Sequence, residues 1–254
     1  MPRRNSRGTR AAAAPDASPP PRATRAAPVD ALRGIAILAM IAYHFAFDLR
    51  FFGAIDADFE NGRGWLGARA LIVSAFLALA GISLVLASRN AVPTVRSLRR
   101  IGVIAACALL ASFASYVVYP QTFIYFGVLH CIAVASLIAR PLADRPRTAL
   151  IAGAAIIIAG LAWSHPWFDS RLTSWIGFTT RKPPTQDFVP LAPWLGVVLV
   201  GITAGHALVA RRFAPIARLA GSPRALTWMG RHSLAIYMVH QPILLGLLWL
   251  LLAR

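Results

Sequence analysis

Seven long apolar segments follow one another along most of the chain, and they constrain the fold more than any other feature. Each approaches the ~20 residues that an α-helix needs to cross the hydrocarbon layer of a bilayer. The segments cover approximately residues 31–53, 66–88, 98–118, 122–140, 147–164, 190–210 and 232–252. We therefore expect an all-α, polytopic membrane helix bundle with about seven transmembrane helices.

Composition supports a membrane protein and excludes other classes. Hydrophobic residues make up 57% of the chain and charged residues only 14%. The net charge of +17 would suggest nucleic acid in a soluble protein, but this chain lacks the polar surface that such binding needs. Cys107 and Cys131 lie in apolar segments without metal-ligand spacing, so we expect neither a disulfide scaffold nor a metal site. We expect membrane lipids and no nucleic acid as partners, and leave homo-oligomer formation open.

Arginine is concentrated in alternate loops, which predicts the orientation of the bundle. The loops after the second, fourth and sixth segments are rich in Arg, whereas the loop after the first segment carries acids. Loops with an excess of Arg stay in the cytoplasm. We therefore expect a cytoplasmic N-terminus and a C-terminus outside.

Residues 1–28 differ in composition from the rest of the chain. They carry six Arg, a single acid (Asp16), a run of four Ala and three consecutive Pro. Such a segment cannot bury a core. We expect a disordered cytoplasmic tail followed by one transmembrane domain over residues 29–254.

Three ionisable residues share one face of the first predicted helix. Arg33 and His44 are eleven residues apart, which is ~1100° of rotation, or three turns plus ~20°. Asp48 follows His44 at i+4, where it can accept a hydrogen bond from the imidazole. Ionisable residues in a span face the bundle interior or a wet cavity, so this face favours a catalytic role. The alternative is a snorkelling arginine, a histidine bonded to a neighbouring helix and an interfacial aspartate.

Two more histidines lie in predicted spans. We expect His130 at the depth of His44, roughly 12 to 13 Å below the outer boundary. It could complete an acid–base pair with His44 or simply pack beside Gly127. We expect His240, which precedes Pro242, in the cytoplasmic half at a different level from His44. There it would line a donor channel or satisfy a helix kink.

The outer end of the sixth segment carries two further candidates. Asp187 and Trp194 have the features of a helix start and of an interfacial anchor, respectively. Asp187 also faces the same compartment as Asp48. The two residues are therefore candidates for binding an acceptor substrate.

Five blocks in order resemble the heparan-alpha-glucosaminide N-acetyltransferase catalytic domain family, with its bacterial members. The blocks are residues 29–36 followed by His44, 76–84, 126–132, 187–196 and 230–242. The spacing of Arg33 and His44 is also similar to the Arg, ten residues, His motif of membrane-bound acyltransferase family 3. The resemblance covers nearly all of residues 29–252.

The resemblance implies an enzyme that moves an acyl group, commonly acetyl from cytoplasmic acetyl-CoA, to a sugar or glycan on the far side of the membrane. His44 would be the base or a transient acyl carrier, and Asp48 would orient it. Guanidinium groups bind phosphate oxygens well, and four arginines are candidates for the donor's phosphates: Arg33, Arg96, Arg99 and Arg100. A bacterial member would reside in the cytoplasmic membrane.

Two other classes of function remain open from the sequence. The polar face of the first helix could carry a small solute or lipid in a transporter, or the histidines could join helices in a structural membrane protein. No sequence repeat relates one group of helices to another, which weighs against a repeat-built transporter. The chain also has about seven helices where the best-known relative has eleven or so. The sequence does not identify the acceptor, nor distinguish direct transfer from an acyl-histidine.

Overall fold

The computed structural model describes residues 27–252. The helices in this range are α1 (Ala27–Phe51), α2 (Arg63–Arg89), α3 (Thr94–Val118), α4 (Val128–Ala139), α5 (Pro146–Ala162), α6 (Leu191–Ala210), α7 (Arg224–Arg231) and α8 (Ser233–Leu252). Strand-like pairing within this range is limited to an isolated bridge between Phe126 and Phe188. The predicted all-α bundle is confirmed. The predicted tail lies outside the described residues, except that Ala27 and Pro28 already belong to α1.

Five of the described helices are long and apolar enough to cross a membrane: α1, α2, α3, α6 and α8. Helices α4 and α5 are apolar but shorter. Each predicted segment overlaps one of these seven helices, whereas the short helix α7 lies between the last two segments. The chain is an integral membrane protein.

The predicted start of the fourth segment at residue 122 is wrong, because α4 begins at Val128. The Asp187 carboxylate accepts a hydrogen bond from the Val128 N–H at 2.8 Å, at the first turn of the helix. The preceding residues pair instead with the chain before α6, since the Val189 N–H donates to the Phe126 carbonyl at 3.1 Å. These bonds satisfy backbone groups that a longer helix would have used.

The long helices alternate in direction, so the bundle has two ends of different character. One end holds the starts of α1 and α3 and the end of α2. There Arg33 donates to Ser83 at 3.0 Å, and Arg140 to Thr94 at 2.8 Å. We call this end the arginine-rich face and the other end the opposite face. The exposed arginines of the arginine-rich face include Arg96, Arg99, Arg100, Arg145 and Arg147.

Helix α6 packs closely against α2 because glycines face each other at the contact. A Cβ atom at Gly81 would collide with the carbonyl oxygen of Val198, and one at Gly201 with the carbonyl oxygen of Ala78. Small residues of this kind let helix backbones approach in a membrane, where helices gain little from apolar burial.

Helix α7 packs in the same close way against the first turns of α1. A Cβ at Gly34 would meet the Leu226 carbonyl, and one at Gly230 would meet the Asp30 carbonyl. Arg231 also pairs with Asp30 at 3.4 Å. Because α7 covers the first turns of α1, helix α8 contacts α1 only further along its length.

Candidate active site

Two histidines meet where α8 crosses α1. The Nε2 atom of His240 lies 3.1 Å from Nδ1 of His44. His44 Nδ1 also lies 3.1 Å from the Met40 carbonyl, and His240 Nδ1 lies 2.7 Å from the Tyr237 carbonyl. The expectation that His240 lies at a different level from His44 is wrong. Because α7 occupies the first turns of α1, α8 reaches α1 further along its length.

The hydrogen bonds assign the protons of this histidine pair. A carbonyl oxygen only accepts, so His240 Nδ1 carries a hydrogen and donates it to Tyr237. In the neutral ring, His240 Nε2 is then an acceptor, and the hydrogen on His44 Nδ1 is shared between His240 Nε2 and the Met40 carbonyl. The Nε2 atom of neutral His44 keeps its lone pair. This is the form that a general base or a nucleophile requires.

Asp48 contacts α8 instead of the histidine that precedes it on α1. Its Oδ1 accepts a hydrogen bond from Gln241 Nε2 at 2.7 Å, and its side chain is only 1% exposed. Within residues 27–252, Asp48 makes no hydrogen bond or ion pair with His44. The prediction that Asp48 orients His44 is therefore wrong, because Gln241, the residue after His240, meets the carboxylate across the helix contact.

His130 lies apart from the histidine pair, so its predicted pairing with His44 is also wrong. Because α4 starts at Val128, His130 occupies the first turn of that helix and not a position eight residues into a span. Its Nδ1 accepts from the Gly127 N–H at 3.2 Å, and its Nε2 lies 3.1 Å from Ser112 Oγ. Ser112 Oγ in turn donates to the Ile124 carbonyl. Both ring nitrogens of His130 therefore make hydrogen bonds at the start of α4. This agrees with the alternative that His130 packs beside Gly127.

A cavity of about 150 Å³ opens among α1, α2, α3, α4 and α8. We call it the arginine-lined cavity, because Arg33 and Arg100 contribute to its wall together with Ser83, Ser233 and Tyr237. The backbone carbonyl of Tyr237 accepts the hydrogen bond of His240. The cavity therefore reaches a direct neighbour of the histidine pair.

The predicted arginines occupy different positions relative to this cavity. Arg33 donates to Asp30 at 2.8 Å and to Ser83 at 3.0 Å. Arg100 lines the cavity, whereas Arg96 and Arg99 are exposed at the start of α3 and do not line it. Of the four arginines predicted to bind the donor, the structure brings only Arg33 and Arg100 together at the cavity.

On the opposite face, Asp187 and Trp194 hold the bundle together. Besides its bond to Val128, Asp187 pairs with Arg69 at 3.7 Å, and Arg69 donates to the Phe188 carbonyl at 3.0 Å. Trp194 packs against the main apolar core. The structure thus gives both residues packing contacts, and their binding of an acceptor stays a prediction.

Sequence reasoning missed two residues of this region. Arg69 lies inside the second predicted span, and a charged residue in a span is itself a signal for function. Gln241 is a polar residue next to His240 in an apolar segment. Its proximity to Asp48 could not be inferred from one helix alone.

The fold and this site define an integral membrane protein with a pair of hydrogen-bonded histidines between two helices. A family model described as "Heparan-alpha-glucosaminide N-acetyltransferase, catalytic" matches residues 25–242. The chain belongs to this family, and it is a membrane acetyltransferase of that type. No curated protein and no solved structure matched the chain.

Proposed function

We propose that this enzyme transfers an acetyl group from acetyl-CoA, taken from the arginine-rich face, to a sugar or glycan on the opposite face. His44 Nε2 is the proton acceptor of the reaction. The observation that carries this proposal is the contact between His44 and His240, which leaves that atom with its lone pair. We further propose a bacterial cytoplasmic membrane as the location, with the arginine-rich face in the cytoplasm.

The proposed step needs one base and one oriented acceptor. His44 Nε2 removes a proton from the acceptor's amine or hydroxyl as that atom attacks the thioester carbonyl of acetyl-CoA. The new C–N or C–O bond forms, the C–S bond breaks, and the departing CoA sulfur takes up the proton. His240 Nε2 accepts the hydrogen bond of His44 throughout, which stabilises the imidazolium as it forms.

The arginine-lined cavity supports entry of the donor from the arginine-rich face. Its volume of about 150 Å³ is below the range of roughly 300–1,000 Å³ that is typical of sites enclosing a whole small ligand. A site of this size suits the acetyl end and its narrow arm, with the nucleotide part remaining outside. Arg33 and Arg100 would attract the donor's phosphates, and exposed Arg96 and Arg99 would extend this positive surface.

The position of His44 supports access of the acceptor from the other end. His44 is residue 18 of the 25 residues of α1 and so lies in the half nearer the opposite face. An acceptor at that face would have to reach only partway into the bundle. Asp187 and Trp194 stay our candidates for contacts with it.

Purified protein in lipid nanodiscs tests the proposal. With acetyl-CoA as donor and glucosamine as a probe acceptor, we expect release of free CoA and formation of acetylated sugar. His44→Ala should lower turnover by ~10²–10⁴-fold, the range for loss of a general base. His232→Ala is the matched control, since the side chain of exposed His232, directly after α7, hydrogen-bonds among the described residues only to the Trp228 carbonyl. Undiminished turnover in His44→Ala would contradict the assignment.

A trapping experiment distinguishes direct transfer of the acetyl group from transfer through an acyl-histidine. After brief mixing with labelled acetyl-CoA and no acceptor, direct transfer predicts unlabelled protein. A labelled protein in the wild type that is absent in His44→Ala would instead show that His44 carries the acetyl group.

A further inference from the structure

Two buried oxygen atoms beside the histidine pair lack hydrogen-bond partners. Within residues 27–252 they are Asp48 Oδ2 and Gln241 Oε1, and they are the only buried side-chain atoms of this kind. Both belong to one contact, in which Gln241 Nε2 already donates to Asp48 Oδ1 at 2.7 Å. Buried polar atoms are nearly always paired, and an unpaired one is costly. Two unpaired acceptor oxygens on side chains that are hydrogen-bonded to each other therefore need an explanation.

No cation neutralises Asp48. The ion pairs among the described residues join Asp30 to Arg33 and Arg231, and Asp187 to Arg69. Asp48 is 1% exposed and lies inside a membrane-spanning helix, so water does not compensate an ionised carboxylate either. An isolated buried charge of this kind takes a proton instead of remaining ionised.

Arg50, two residues after Asp48 on α1, is exposed and donates to the Ala57 carbonyl instead. The other titratable groups close to this contact are the two histidines. His44 precedes Asp48 by one turn on α1, and His240 precedes Gln241 on α8. Two neutral rings, each with its hydrogen on Nδ1, satisfy all of the pair's hydrogen-bond contacts. The histidine pair thus supplies no positive charge that would keep Asp48 ionised.

We propose that Asp48 is a neutral carboxylic acid that forms a closed pair with Gln241. The Asp48 Oδ2–H donates to Gln241 Oε1, while Gln241 Nε2–H donates to Asp48 Oδ1. One proton satisfies both unpaired oxygens, and the two planar groups then share two hydrogen bonds. This acid–amide pair joins α1 to α8 one turn beyond the histidines and holds His240 against His44. Asp48 and Gln241 are positioning residues for the proposed base.

Infrared difference spectroscopy of the purified protein in nanodiscs at neutral pH tests the protonation directly. We expect the carbonyl band of a protonated carboxylic acid, shifted in D₂O and absent in Asp48→Asn. Asp30→Asn is the matched control: Asp30 is similarly buried but contacts two guanidinium groups, so its removal should leave the band in place. A wild-type protein without this band, or a band that persists in Asp48→Asn, would overturn the proposal.

Turnover of the same variants tests the positioning role. In Asp48→Asn the new Nδ2–H can donate to Gln241 Oε1 while Oδ1 still accepts, so both bonds are kept without an ionisable proton. Asp48→Ala should lower kcat ~10-fold with little change in the KM for acetyl-CoA, and Asp48→Asn should restore kcat to within ~3-fold of wild type. An Asp48→Asn protein that is folded but as impaired as Asp48→Ala would contradict positioning by a neutral pair.

The two proposals fail independently. The infrared band requires no substrate, so it reports on Asp48 even if Asp48→Ala does not fold or if acetyl transfer is not observed. Absence of acetyl transfer in the wild type would contradict the proposed function and leave the acid–amide pair standing.

Discussion

The Nε2 atom of His240 accepts a hydrogen bond from Nδ1 of His44 over 3.1 Å, and the two ring centroids are 4.9 Å apart. The contact joins residues that are 196 positions apart in the chain. Together with the Met40 carbonyl it engages Nδ1 of His44 and leaves Nε2 as the nitrogen that serves as base in the proposed function. In that proposal, His240 takes the place of the orienting carboxylate of a catalytic triad.

Replacing His240 should affect catalysis more than donor binding. In His240→Ala, we expect kcat to fall by ~10–10²-fold, because His44 Nδ1 keeps only the Met40 carbonyl and loses the side-chain acceptor that stabilises its positive charge. The KM for acetyl-CoA should change little. Initial rates at varied acetyl-CoA provide both constants, with His232→Ala as control. A raised KM at unchanged kcat would instead support a role for His240 in a donor channel.

Arg100 should contribute to donor binding through its position on the arginine-lined cavity. We expect Arg100→Ala to raise the KM for acetyl-CoA ~10-fold, since a charge-assisted contact to a phosphate is lost. Arg147→Ala removes the same charge from an exposed site on the same face and should leave the KM unchanged. Equal effects of the two variants would show that only the net charge of this face matters.

The contact between α2 and α6 should tolerate no side chain at Gly81. In Gly81→Ala the new Cβ meets the backbone of Val198, so the helices must separate, and we expect a loss of about 1–3 kcal/mol of stability. Gly67→Ala on the same helix has open space around its Cβ and serves as the control. Thermal unfolding in detergent measures both. A Gly81→Ala protein as stable as wild type would show that the helices can shift apart without cost.

Lys182 offers a prediction about pH outside the membrane-spanning helices. Partial desolvation and then the nearby Arg69 guanidinium lower the pKa of Lys182. Because the folded chain favours the neutral amine, stability rises with pH between the lowered and the ordinary pKa, and the destabilising effect is complete at neutral pH.

Lys182 is the only lysine of the sequence, so its titration can be followed by acylation and mass spectrometry of its peptide. We expect the midpoint of labelling below the ordinary lysine pKa of ~10.4. Arg69→Gln should raise the midpoint, and Arg63→Gln, at the exposed start of the same helix, should not. An identical midpoint in all three proteins would exclude the influence of Arg69.

The fold was largely predictable because hydropathy is a local property. The lengths of the apolar runs predicted each of the seven apolar helices. The start of α4 was not predictable in this way. It depends on Asp187, which lies 59 residues away from Val128 and supplies the bond at the helix start.

In the candidate site, too, some features follow from the local sequence and others depend on contacts between distant residues. The sequence by itself determined that His44 and Asp48 lie on one face of α1, since helical rotation depends only on spacing. Only the tertiary structure decided their partners, because α7 covers the first turns of α1 and so sets where α8 meets it. That packing pairs His44 with His240 and Asp48 with Gln241, and leaves His130 at the start of α4. Contacts between distant helices depend on how their backbones approach, which no single segment specifies.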